Sequence, residues 1–389
     1  MRVLQVIPSV SPLRGGPSKA VIDMTRALIA KGVNVEIATT NDDGPNKLDV
    51  TTKELIDFSD VPVRFFERWS PTIGSLREFA VSRSFSSWLK EHIDNYDVVH
   101  IHAIFSFTSS YTMWLARKKG IPYVVRPIGQ LESWSLAQSK LRKKVFLALF
   151  ERKNLAAAAA IHYTAASEQA QAAKNIKQLD SKLGVVIPLG IAKPELIQGA
   201  KSKLHHVYKI KKDRIVFLYL SRLHKKKGLE LLLQAFSRVD QTKWSLIVAG
   251  EGSKEYTESI NSKIKSLNLE NNCQMVGFAV GEKKELLLQG SDFYTLTSYS
   301  ENFGIAVLEA LVSGTKTIVS HEVALSEFVA SKDLGYVCEL SMDAIEKVLN
   351  TSLNQSTYDS NNISSVALDS FGWPKIASQL KELYRSLAQ

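Results

Sequence analysis

Ser298-Tyr299-Ser300-Glu301-Asn302-Phe303-Gly304-Ile305-Ala306-Val307-Leu308-Glu309-Ala310 is the stretch on which the reading of the chain turns. Upstream, Asp292 to Thr297 reads as a short buried strand of β-branched and aromatic residues. Downstream, Ile305-Ala306-Val307-Leu308 suits a helix. The segment is therefore strand, polar loop, helix, with Glu301 on the loop and Glu309 in the second helical turn. A helix starting near Gly304 would turn its free N–H groups and its dipole toward the loop, which suits an anion. A glutamate early in a helix is also often only a favourable partner of the dipole.

The same pattern recurs before it. Ile215 to Leu220 reads as a parallel-sheet strand running into Ser221-Arg222-Leu223-His224-Lys225-Lys226-Lys227-Gly228, then a helix from Leu229 to Val239. Loops at the carboxyl ends of parallel strands are where α/β folds bind ligands. Arg222 can fork across phosphate oxygens and Lys227 can supply a point charge, while Lys225 and Lys226 belong to solvent. Trp244 to Ala249 with Gly250-Glu251-Gly252, Gln274 to Phe278, and Thr317 to Ser320 supply further strands and turns.

In the amino-terminal half, Val3 to Ile7 is a strand, Pro8 to Pro17 a loop ending in Gly15-Gly16, Ser18 to Lys31 a helix, and Val33 to Ala38 a strand. This is a βαβ unit. Paired glycines allow close backbone approach to a ligand, and they equally suit a plain tight turn. The pattern is not G-x-G-x-x-G, which disfavours a dinucleotide oxidoreductase. Residues 41–95 are polar and irregular with helical patches. Asp97 to His102 is a strand with His100 and His102 on one face. Tyr123 to Pro127, Ile161 to Thr164 and Val185 to Pro188 are the remaining strands of this half. Ser139 to Ala160 reads as one helix opening on Lys140, Arg142, Lys143 and Lys144, either a membrane-surface helix or a packed helix with a solvated basic edge. Gly190 to His206 shows no sustained period and is read as the hinge.

The chain has 389 residues, enough for two or three domains, with 45% hydrophobic and 23% charged residues. Its net charge of +10 favours anionic partners. Cys273 and Cys338 stand alone, which argues for buried thiols in a reducing compartment. No apolar run approaches a membrane span of about 20 residues. The amino end turns polar too soon for a signal peptide, so a cytoplasmic protein is expected. A nucleic-acid binder lacks support, because no aromatics interleave with basic strands.

Glu301 and Glu309 with Ser-Arg-x4-Lys-Gly at 221–228 resemble the E-x7-E signature and diphosphate clamp of retaining nucleotide-sugar glycosyltransferases of family 4 type, and specifically their bacterial polysaccharide-assembly branch. The resemblance covers nearly the whole chain. It implies a GT-B fold, two Rossmann-like α/β domains facing an interdomain cleft. The acceptor-side domain would be 1–192, the nucleotide-sugar domain 203–370, and a terminal helix 371–389 would cross back to the first. It implies donor contacts from Gly15, Gly16, Arg222, Lys227, Val276, Phe278, Glu301, Asn302, Phe303, Gly304 and Glu309, the base meeting backbone groups of the 276–278 turn. His102 would approach the transferred sugar, Arg126 and Glu132 would border the acceptor, and Glu168 matches a family position without an assigned role. Glu309 would hold the ribose and Glu301 the sugar hydroxyls. The chain has no Asp-x-Asp, so no cofactor and no metal are expected. The expected substrate is UDP-glucose, with GDP-mannose the competitor, and the acceptor a glycan or lipid-linked glycan. Peripheral contact with an anionic inner membrane face goes with that acceptor. A catalytically inactive nucleotide-sugar binder is the other reading.

Overall fold

The computed structural model describes residues 1–138, 140–176, 179, 184–354 and 357–388. The chain divides into two compact units, Met1–Gly190 with Trp373–Gln389, and Ile191–Gly372.

The first unit is built on β1 (Arg2–Ser9), β2 (Asn34–Thr40), the small hairpin β3 (Asp42–Asp43) and β4 (Asn46–Lys47), β5 (Leu55–Asp57), β6 (Pro62–Phe66), β7 (Val98–His102), β8 (Tyr123–Arg126), β9 (Ala160–Tyr163) and β10 (Gly184–Val186). Its sheet runs β10-β9-β8-β7-β1-β2-β6-β5, parallel except where β5 meets β6. Successive residues feed opposite faces, as the two-residue period requires. Val3, Val35 and Val98 pack with Met24, Leu28 and the helix Trp373–Leu387, whereas Leu4, Val99 and Ile101 pack with Phe85, Leu89 and Met113. Strand order reverses between β1 and β7, so the loops following these two strands flank a topological switch point.

Several sequence expectations change here. The first helix begins at Gly16, not Ser18, because Pro17 is already suited to a first turn. Residues 41–95 contribute four strands. In β6, Val63 and Phe65 alternate into the core while Arg64 turns outward to Glu36, a period-two signal that the flanking polar loops obscure. Ser139 lies outside the described residues. Beyond it the chain forms not one helix to Ala160 but a helix Lys140–Phe146, a π turn Leu147–Glu151, and a helix Arg152–Ala156. Ala160 instead opens β9, pairing with Val124.

The second unit is one sheet of β11 (Ile215–Leu220), β12 (Trp244–Ala249), β13 (Cys273–Gly277), β14 (Phe293–Leu296), β15 (Lys316–Ser320) and β16 (Gly335–Cys338). Every pairing is parallel, in the order β13-β12-β11-β14-β15-β16. That is the doubly wound arrangement, with its switch point between β11 and β14. The helix after β11 spans Leu229–Phe236, ending short of Val239. Within the expected hinge, Ala200–Val207 is helical and packs on the helix Gly281–Gly290, with Leu204 against Gly290.

Polar groups inside the first unit form a directed chain. Ile187 O can only accept, so His162 Nε2 donates to it at 2.7 Å. His162 Nδ1 then accepts from His100 Nε2 at 3.3 Å, and His100 Nδ1 accepts from the Tyr384 hydroxyl at 2.7 Å. His100, His102, His162 and Tyr384 are all fully buried. Burial, then neighbouring rings and Arg126, hold His100 well below its ordinary value of 6.5. Burial and Arg126 likewise depress His102, and bring His162 to about 3. Arg126 acts on all three rings, and Glu168 in turn acts on Arg126. Depressed folded-state values mean the unfolded chain gains these protons first as pH falls. Stability from this cluster is therefore complete above about pH 6.5 and declines below it, by about 1.4 kcal/mol per histidine per pH unit. Thermal unfolding measured at about pH 7.5 and about pH 5.5 should show a lower midpoint in acid. His162→Gln should reduce that pH dependence, and an unchanged slope would remove the cluster as its source.

Candidate functional site

In the second unit, the site begins where two loops meet at the β11/β14 switch point. The carbonyl of Lys226 accepts from Tyr299 N at 2.8 Å and from Ser298 Oγ at 3.0 Å, and Thr297 Oγ1 donates to Gly228 O at 3.0 Å. Gly228 has φ +70°, and a Cβ there would stand 1.9 Å from Thr297 O, so only glycine permits the closure. These bonds bring Lys227 onto Glu301 as an ion pair, the side chains 11% and 19% exposed. Arg222, on the same loop, is exposed and makes no ion pair among the described residues. The Glu301 backbone is pinned on both sides, its N–H to Glu322 O at 3.0 Å and its carbonyl to Ala324 N at 3.2 Å.

The helix Ile305–Val312 comes next, entered through Gly304 at φ +90°. Glu309 sits at the start of its second turn and accepts from Lys284 Nζ at 2.7 Å. Lys284 was not legible beforehand: it lies 25 positions away, in the first turn of the helix Gly281–Gly290. Its neighbour Lys283 donates to the carbonyls of Val276 at 2.6 Å and Phe278 at 3.3 Å. One helical turn thus touches both the Glu309 carboxylate and the 276–278 turn. Phe278 presents an exposed ring, while Phe303 is buried edge-on to Phe371 at 6.0 Å between centroids. Any contribution of Phe303 to a ligand would come from its backbone. Asn302 lies between Glu301 and Phe303 on the same turn, half-buried. Tyr294 is fully buried within β14; burial, then Glu301, Tyr219 and Glu309, push its hydroxyl well above 10.

In the first unit, Gly15 caps the helix that Gly16 opens, after β1. Beside them, Arg14 forks onto Asp42, Nε to Oδ2 at 2.7 Å and Nη2 to Oδ1 at 2.9 Å. Fully buried Arg68 donates to the same Oδ1 of Asp42. Sequence reading missed this trio because its members lie more than twenty positions apart. His102 ends β7. Its Nε2 faces Gln5 Oε1 at 2.8 Å and its Nδ1 faces Arg126 Nη1 at 3.4 Å. Arginine can only donate, so Nδ1 accepts and Nε2 carries the proton. Arg126 is buried, and that burial lowers it to about 10. Around the pair, Ala103, Phe105 and Ile128 adopt left-handed φ of 67°, 59° and 56°. Non-glycine residues rarely hold this conformation without support from their surroundings, and such strain clusters at functional loops. Glu132 is buried at the start of the helix Ser133–Ala137. Glu168 serves the structure of the unit, since its oxygens accept from Gly129 N at 2.6 Å and Thr164 N at 2.8 Å and so fix the loop after β8.

The structure therefore brings Lys227 and Glu301 together, gathers Glu309 with Lys284, and joins His102 to Arg126. Among the described residues, no group of three or more His, Cys, Asp or Glu is disposed to hold a metal ion. No described helix is long and apolar enough to cross a membrane.

Residues 15–190 match the model of a glycosyl transferase 4-like domain, and residues 200–365 that of glycosyl transferases group 1. The alpha-monoglucosyldiacylglycerol synthase of Streptococcus pneumoniae is 27% identical over 48% of this chain and 44% of its own length. The lipopolysaccharide 1,2-N-acetylglucosaminetransferase of Salmonella typhimurium is 25% identical over 51% of this chain and 55% of its own. The matches span about half the length of these relatives. Among solved structures, Anabaena HepE in complex with UDP and glucose superposes with TM-score 0.75 at 19% identity, over 99% of this chain and 100% of that one. Sucrose-phosphate synthase of Thermosynechococcus elongatus superposes at 0.79, also 19% identical, over 100% and 99%. Those identities speak to the fold alone. With both family models satisfied in order along the chain and two parallel-sheet α/β units beneath them, the chain belongs to glycosyltransferase family 4 and has the GT-B fold.

Proposed function

We propose that the protein transfers a hexose, glucose from UDP-glucose, to a lipid-linked glycan with retention at the anomeric carbon and without a divalent metal. The observation that carries this is the Lys227–Glu301 pair at the β11/β14 switch point, with Arg222 exposed on the same loop and a helix amino end entered at Gly304. Cations and backbone N–H groups there suit the charge that grows on a departing diphosphate. Before donor arrives, Glu301 balances Lys227; a diphosphate would share that lysine and leave Glu301 free to accept from sugar hydroxyls. Glu309, oriented by Lys284, would accept from the ribose hydroxyls. The base would lie against the backbone of the 276–278 turn. Gly15 and Gly16 would admit the donor backbone-close at the first unit's switch point, His102 would approach the transferred sugar, and Arg126 and Glu132 would serve the acceptor side. His102 acts there as a neutral ring, since its buried nitrogens are both engaged.

In the reaction, the bond from the anomeric carbon to the diphosphate oxygen breaks. A bond to the acceptor oxygen forms on the same face, and the acceptor proton passes to the departing phosphate oxygen. Support for UDP-glucose comes from HepE, which is solved with UDP-glucose. Support for a lipid-borne acceptor comes from the names of the diacylglycerol and lipopolysaccharide enzymes among the relatives. Such an acceptor would hold a cytoplasmic enzyme at the inner face of a membrane.

Arg222→Ala and Lys227→Ala should each lower kcat by about 100-fold or more, the usual loss for one preorganised charge donor. Near-full turnover in either variant would take that residue out of the clamp. The two glutamates should separate. A charged acceptor to a hydroxyl contributes about 1.5–3 kcal/mol, so Glu309→Gln should weaken UDP and UDP-glucose alike by roughly tenfold or more. Lys284→Met should do the same through lost orientation of Glu309. Glu301→Gln should leave bare UDP nearly unchanged and reduce turnover. Calorimetric titration alongside turnover decides this, and equal loss of UDP binding in the Glu301 and Glu309 variants would contradict the assignment.

A further inference from the structure

The segment from Lys140 to Lys153 has an outer face that the packing of the first unit does not account for. Leu141 is 77% exposed, Val145 50% and Phe150 55%. With Phe146 they line one apolar surface hollow, which places all four on the same side. The π turn explains the register. Its wider winding brings positions five apart into line, so Phe150 follows Val145 and lies tilted against Phe146, 5.2 Å between centroids. Water-facing leucine, valine and phenylalanine in one contiguous ridge are uncommon on a soluble surface and mark a contact.

The exposed charges within the segment itself are one-sided, although Glu78, beside Phe79 whose ring lies 5.5 Å from Phe146, is also exposed. Lys144, Arg152 and Lys153 are exposed. The one acid between positions 140 and 153 is Glu151, and it is fully buried, its carboxylate accepting from the Ser110 hydroxyl at 2.5 Å. Lys143, which the sequence groups with its neighbours, turns inward instead: Nζ donates to Ser135 O at 2.6 Å and lies 5.4 Å from the centre of the Phe105 ring. The side chains of Lys140 and Arg142 lie outside the described residues. The segment therefore exposes hydrocarbon and cations together.

We infer that this face inserts Leu141, Val145 and Phe150 into the surface of an anionic lipid bilayer, with Lys144, Arg152 and Lys153 against the headgroups. Hydrocarbon in a segment whose own exposed charges are all cationic is the pattern of an interfacial helix. A second protein surface would be expected to answer it with acids of its own, whereas a bilayer supplies both the apolar layer and the negative charge. The inference deepens the membrane-face part of the proposed function and stands independently of the sugar chemistry. It also redistributes the work: binding rests on apolar insertion as well as charge, and Lys143 contributes to neither.

Co-sedimentation of the whole chain with vesicles tests it, using phosphatidylcholine alone and phosphatidylcholine mixed with phosphatidylglycerol. The wild type should sediment with the mixed vesicles and not with phosphatidylcholine alone. The triple change L141S/V145S/F150S should reduce binding to the mixed vesicles at least tenfold at low and at high salt. K144E/R152E/K153E should lose binding at low salt, and Lys143→Gln should keep it. UDP affinity, measured on the same preparations, should be unchanged throughout, which separates this result from any failure of the donor reading. Wild-type sedimentation with neither vesicle, equal sedimentation with both, or undiminished binding of the triple serine variant would overturn the inference. So would a triple serine variant whose effect is conversion of a dimer to a monomer, since the occupant would then be a second copy of the chain.

Discussion

The ion pair between Lys227 and Glu301 is the contact on which the rest of the second unit's site depends. It forms because two loops from non-consecutive strands, β11 and β14, are drawn together where the strand order reverses. Lys226 O and Gly228 O accept three hydrogen bonds from the 297–299 segment, and the absence of a Cβ at Gly228 lets the chains approach that closely. The pair gives both groups a partner while no anion is bound. A buried charge left single costs several kcal/mol, so the site proposed to receive a diphosphate is more stable at rest if its cation has a temporary carboxylate. The same logic applies to Lys284 and Glu309, one helix further on.

The first unit solves a different problem. Part of its polar core is a neutral relay: His162, His100 and Tyr384 pass hydrogen bonds in one direction from the terminal helix to the carbonyl of Ile187. His102 and Arg126 lie next to this chain, and their loops carry three left-handed non-glycine residues.

The features that could be read from the sequence were local. The strand, basic loop and helix around Arg222 and Lys227 follow from hydrophobic runs and turn residues within a few positions of one another. So does the segment containing Glu301 and Glu309, because the apolar run after Gly304 sets the helix start. Contact across distance could not be read. Lys284 reaches Glu309 from another helix, Asp42 joins Arg14 to Arg68 across the unit, and His100 meets Tyr384 from 284 positions away. None of these leaves a periodic trace. The error over Ser139–Ala160 has its own cause: alanine favours helix so strongly that Ala156 to Ala160 hid both the helix end and the start of β9. Lys143 counted toward a basic face in sequence, yet its ammonium is used inside the unit.

The central claim is that the switch point of the second unit is a diphosphate site that works without metal. Calorimetric titration of the intact protein with UDP and with UMP, each in the presence of a chelator, isolates the second phosphate. Arg222, Lys227 and the helix entered at Gly304 should make UDP bind at least about tenfold more tightly than UMP, equivalent to about 1.4 kcal/mol. Equal affinity for the two nucleotides, or loss of UDP binding when the chelator is added, would contradict the account.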